Sequence, residues 1–129
     1  MLRTKWGLWM KTVLIVDDDP LFRVFLKSML GDCKVIDAEN GKIALEKFNS
    51  IDLVITDICM PIMDGIKLIH SIRNSQQKEI PIIAVTGFIN NVDPAKKAGA
   101  DECLTKPFGQ QEIDIVMERF LPPSLNPVS

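Results

Sequence analysis

Five short apolar runs alternate with helix-length amphipathic segments along this chain, and that alternation limits its fold more than any other feature. It predicts βα units and a parallel sheet. The strands are expected at residues 13–16, 34–38, 53–56, 82–86 and 102–105. Three of the runs are almost continuous Val, Ile and Leu, as a parallel sheet covered on both faces requires. The segments between them carry their own punctuation. Asp19 suits an N-cap and Pro20 the first helical position, with Leu21, Phe25 and Met29 on one face, Phe22 and Leu26 beside them, and Gly31 at the end. Asn40 caps a second helix that buries Ile43, Ala44 and Phe48. Asp64 opens a third with Ile66, Ile69 and Ile72 inward. Asp93-Pro94 starts a very short fourth that Gly99 stops, and the fifth presents Ile113, Val116, Met117 and Phe120 before Pro122-Pro123.

The 129 residues fit one domain with an ordinary core, since 47% are hydrophobic and 25% charged. The expected unit is residues 11–121. Residues 1–10 read as an N-terminal extension or a cloning remnant, and residues 122–129 as a tail or cut linker. A net charge of −2 argues against a nucleic-acid footprint, and no segment approaches the roughly 18 apolar residues of a membrane span. Trp6 and Trp9 in the basic front segment leave a short membrane-surface anchor open, but a signal-peptide core is lacking. Cys33, Cys59 and Cys103 are odd in number and show no CxxC spacing, and His70 stands alone. This composition fits reduced thiols in a cytoplasm rather than disulfides or a zinc site.

The polar residues fall in a pattern. Ligands of open parallel sheets bind outside the C-terminal edge of the strands. Asp17 and Asp18 follow the first strand, Asp57 the third and Lys106 the fifth, while Thr86 ends the fourth. Each has an ordinary reading: a helix cap, a turn residue, a strand-end hydroxyl, a solvated lysine. Coincidence would have to place all of them on one rim. Carboxylates this close repel, and burying one without a partner costs on the order of several kcal/mol. A hard divalent cation relieves the repulsion; Mg2+ takes one or two carboxylates and keeps waters. A carboxylate can also accept a phosphoryl group, whose oxygens a cation, an ammonium and a hydroxyl stabilise.

The stretches VLIVDDDP, LVITDICMPIMDG, PIIAVTG and GADECLTKPF, in that order, resemble the signatures of response-regulator receiver domains of two-component signalling, chemotaxis regulators among them. The resemblance covers about residues 11–121 and implies a flavodoxin-like, doubly wound five-stranded parallel sheet of order 2-1-3-4-5 with helices on both faces; the order follows from the resemblance and not from the spacing of the runs. It implies that Asp57 is the phosphoacceptor. Mg2+ would bind Asp18, Asp57 and the Cys59 backbone carbonyl, with Asp17 acting through water. Thr86 would hydrogen-bond the phosphoryl group, Lys106 would pair with it, and Gly87 would leave its approach open. Lys106-Pro107 would be cis, and Met60, Pro61 and Gly65 would shape the loop after Asp57. Three features depart from the family pattern. The interval from Asp18 to Asp57 is shortened near Gly31-Asp32. The interval from Thr86 to Lys106 is short, which trims the fourth helix. Cys103 stands where the family usually carries a switch aromatic.

These features imply a Mg2+-dependent phosphorylation switch in a histidine-to-aspartate relay. A histidine kinase or histidine phosphotransfer protein would donate the phosphoryl group, and the downstream target is unknown. The domain would promote its own phosphotransfer and dephosphorylation, with no separate substrate turned over. It would act by binding a partner, by passing phosphate on, or as the receiver piece of a longer regulator or hybrid histidine kinase. A constitutive interaction module with the same fold is the alternative, against which the intact Asp18, Asp57, Thr86 and Lys106 speak. An aspartate-based phosphatase would want a second acid two residues beyond the nucleophile, where this chain has Cys59.

Overall fold

The computed structural model describes residues 10–121; the expectations for the front segment and the Pro/Ser tail lie outside the described residues. Strands β1 (Thr12–Val16), β2 (Lys34–Ala38), β3 (Leu53–Asp57), β4 (Ile82–Thr86) and β5 (Glu102–Thr105) form one parallel sheet in the order β2-β1-β3-β4-β5. Every residue of β3 and β4 is buried, whereas edge strands β2 and β5 keep exposed positions. That contrast accounts for the unbroken Val/Ile/Leu runs in the centre and the mixed sequences at the edges.

Side chains alternate between the two faces of the sheet. Leu14, Val16, Val54, Ile82 and Ala84 join the core beneath α2 (Gly41–Glu46), α3 (Gly65–Arg73) and α4 (Val92–Ala98). Val13, Ile15, Leu53, Ile55, Ile83 and Val85 join the core beneath α1 (Pro20–Met29) and α5 (Gln110–Phe120). Three helix starts follow their sequence signals: the side chains of Asp19, Asn40 and Asp64 accept from the N–H groups of Leu21, Ile43 and Lys67.

Several local expectations need correction. β1 also includes Thr12, whose N–H donates to Asp52 Oδ2 at 2.8 Å, and β3 also includes Asp57, which pairs with Val85. On α1 the inward stripe is Phe22, Leu26, Met29 and Leu30, while Leu21 and Phe25 are 78% and 45% exposed. Both stripes satisfy helical periodicity, and Phe22's packing on Phe108 settles which one turns inward. Leu68 joins Ile69 and Ile72 in the core face of α3. Phe48 lies beyond the end of α2 but still packs on the core. Helix α4 begins at Val92, after a 3-10 turn over Ile89–Asn91, so Asp93 and Pro94 fall inside its first turn, where proline's missing N–H is harmless.

Candidate functional site

The parallel register carries the expected polar residues to one rim. Val16 pairs with Thr56 and Asp57 with Val85, so Asp17, Asp57 and Thr86 leave three adjacent strands side by side. Carboxylate oxygens of Asp17, Asp18 and Asp57 all lie within 4.8 Å of one another. Asp17 and Asp57 are only 1% and 8% exposed, whereas Asp18 faces solvent. Lys106 arrives from the end of β5, with Nζ 3.3 Å from Asp17 Oδ2 and 3.9 Å from Asp57 Oδ1. The Lys106-Pro107 bond is cis, and the Lys106 N–H donates to the Thr86 carbonyl at 2.8 Å.

Each carboxylate has a distinct set of neighbours. Asp17 Oδ1 accepts from the Asp19 N–H at 2.8 Å, and its Oδ2 faces Lys106. Asp17 therefore sits on the inner side of the cluster with both oxygens already engaged. Asp57 Oδ1 accepts from the Ile58 N–H at 2.9 Å. Among the described residues, the hydrogen bond and the ion pair at Asp57 both use Oδ1, and Oδ2 has neither. Burial, reinforced by the charge of Asp17, pushes the Asp57 carboxyl up to about 6 against the opposing pull of Lys106. Burial likewise raises the Asp17 carboxyl. Two acids held near each other and short of counter-charge have the chemistry to hold a cation. Ligands on one octahedral Mg2+ sit up to roughly 4 Å apart, so carboxylates already this close need little adjustment to share it.

The remaining candidates surround this cluster. Thr86 is buried, and its Oγ1 accepts from the Phe88 N–H at 3.1 Å and from Asn91 Nδ2 at 2.9 Å. Cys59 is exposed in the turn after β3, and its Sγ lies 3.6 Å from the same Asn91 Nδ2. A Cβ added to Gly87 would meet nothing within 4 Å, so the backbone there opens onto free space. A Cβ on Gly65 would collide with the Asp57 carbonyl oxygen; this close approach, with Gly65 N–H donating to the Ile58 carbonyl at 2.8 Å, folds the loop back against the end of β3. Met60 and Pro61 belong to that loop, where Ile62 takes a φ of +70°. Cys103 pairs with Ala84 in the edge strand and packs, half-buried, against the α3/α4 core, away from the carboxylates.

Three residues at the site escape a reading by sequence. Phe22 places its ring 3.9 Å from Lys106 Nζ and meets Phe108 edge-on at 5.8 Å, holding the ammonium from below. Arg23 donates to the Asp17 carbonyl at 2.6 Å and pairs with Asp37 at 3.2 Å, which ties α1 and β2 to the acid turn. Asn91 bridges the loops after β3 and β4. Spacing marks none of them, because each acts through a long side chain or a turn whose path is set by tertiary packing.

The family model for the response regulator receiver domain matches residues 13–118. The chemotaxis protein CheY of Bacillus subtilis is 39% identical over 112 residues, covering 82% of this chain and 91% of that protein. Histidine kinase P4 of Formosa agariphila is 35% identical over 116 residues, which are 85% of this chain but 8% of the kinase. The solved structure of the chemotaxis response regulator CheY4 of Vibrio cholerae superposes with a TM-score of 0.80 at 29% identity, over 87% of this chain and 99% of that one. Among the described residues no helix is long and apolar enough to cross a membrane.

Proposed function

Because this chain belongs to the response regulator receiver domain family of two-component systems, we propose that it is a switch set by Mg2+-dependent phosphorylation of Asp57, with residues 11–121 as the working unit. The observation that carries this reading is the rim itself. Asp57 ends a fully buried central strand with Oδ2 open, inside a cluster of two further carboxylates and one ammonium.

Asp57 Oδ2 would attack the phosphorus of a phosphohistidine on a histidine kinase or histidine phosphotransfer protein. The new O–P bond forms as the N–P bond breaks, and the electron pair leaves with the imidazole nitrogen. Bound Mg2+ would supply positive charge to the transferring oxygens. Asp18 and Asp57 would hold it with the Cys59 carbonyl, and Asp17 would reach it through water. Lys106 already spans Asp17 and Asp57, so a small movement would bring Nζ to the phosphoryl oxygens. The Thr86 hydroxyl would donate to the same group, and the open backbone at Gly87 leaves room for it. Exposed Leu21, Val24 and Phe25 on α1, beside Asp18, offer the donor protein an apolar face. The reaction modifies the domain itself rather than turning over a separate substrate, and a cytoplasmic setting suits the three free thiols.

The test is incubation with labelled acetyl phosphate, with Mg2+ or with a chelator. Label that is alkali-labile, requires the cation and disappears in Asp57→Asn supports the reading. Undiminished labelling of Asp57→Asn would sink it.

A further inference from the structure

A threonine hydroxyl has one proton to give and two lone pairs that accept. At Thr86 both lone pairs are taken, by the Phe88 N–H at 3.1 Å and by Asn91 Nδ2 at 2.9 Å. Among the described residues, the acceptor its proton meets is the Phe88 carbonyl at 3.5 Å, too long for a good O–H···O bond. Thr86 is 1% exposed, so a hydroxyl whose proton lacks a proper partner is buried at the rim of the acid cluster. Such a group is costly unless something else accepts from it.

Asn91 makes this contact from the last position of the 3-10 turn. It precedes α4 with helical backbone angles, φ −85° and ψ −11°, so the turn runs straight into the helix and its side chain makes no cap hydrogen bond. Its amide is turned to Thr86 and to the Cys59 thiol instead, joining the loop after β4 to the loop after Asp57.

We propose that Asn91 is a positioning residue for the phosphoryl group: by filling a lone pair of Thr86 it leaves the hydroxyl able to act only as a donor, and so aims that proton at a phosphoryl oxygen on Asp57. The inference rests on Asp57 being the phosphoacceptor. It also makes Asn91 the link through which occupancy of the site reaches the start of α4.

Beryllofluoride, a phosphoryl mimic, can be titrated in saturating Mg2+ and followed by fluorine NMR, with Mg2+ affinity measured separately. Asn91→Ala is expected to weaken beryllofluoride binding about five-fold, the usual worth of one hydrogen bond, while Mg2+ affinity stays at the parent value. Asn91→Leu, close in size but without an N–H, is expected to do the same and guards against an effect of lost packing. Thr86→Ala should weaken the mimic too, and adding Asn91→Ala to it should cost nothing further, because Asn91 acts through Thr86. Parent-like beryllofluoride affinity in both Asn91 variants, or losses that multiply in the double variant, would overturn the proposal. A parent chain that binds Mg2+ but not beryllofluoride would overturn the phosphoacceptor reading beneath it.

Discussion

At the scale of single residues, the acid cluster is a source of instability. Asp57 is raised to about 6 by burial and by Asp17, well above the ordinary carboxyl value of 3.8. The folded chain therefore binds this proton more tightly than the unfolded chain does. Stability from this group is present below about pH 4 and is lost as pH rises to about 6. A shift of this size corresponds to on the order of 3 kcal/mol. Asp57→Asn, measured by urea unfolding in chelator, is accordingly expected to be more stable than the parent at pH 7 by roughly 2–3 kcal/mol. The advantage should vanish near pH 4, where the parent carboxyl is also neutral. A constant difference across that range would show that the carboxylate is not under electrostatic strain. Lys106 offsets part of the repulsion but, at 3.9 Å from Asp57, does not cancel it.

At the scale of elements, the response to phosphorylation should lie in the segment between β4 and β5. Cys103 is half-buried against the core and sits apart from the carboxylates, and its thiol is too small to sweep between two positions as a ring would. The 3-10 turn and the seven-residue α4, by contrast, are joined to Thr86 through Asn91. A two-state backbone segment here would be biased by the phosphoryl group through its different contacts in the two states. Hydrogen exchange with and without beryllofluoride should therefore show protection changes concentrated in residues 87–99, and Cys103→Ala should leave them nearly unchanged. Loss of the response in Cys103→Ala, or a segment indifferent to the mimic, would move the output route elsewhere.

At the scale of the whole molecule, the five strands and their parallel arrangement were legible because a buried parallel sheet demands continuous apolar runs, which β1, β3 and β4 supply. The placement of Asp17, Asp18, Asp57, Thr86 and Lys106 on one rim was legible because the C-terminal ends of parallel strands share one edge. The inward stripe of α1 was not, since Leu21/Phe25 and Phe22/Leu26 fit helical periodicity equally well and only packing on Phe108 separates them. Asn91 was hidden for a related reason: only the path of the loop after Thr86 turns it to the site. The claim on which all of this depends is that Asp57 is the residue modified. Treating the chain with acetyl phosphate and Mg2+, reducing it with borohydride and mapping the peptides tests that directly. The account predicts conversion of Asp57 to homoserine, with Asp17 and Asp18 intact. Homoserine at another aspartate, with Asp57 unchanged, would contradict it.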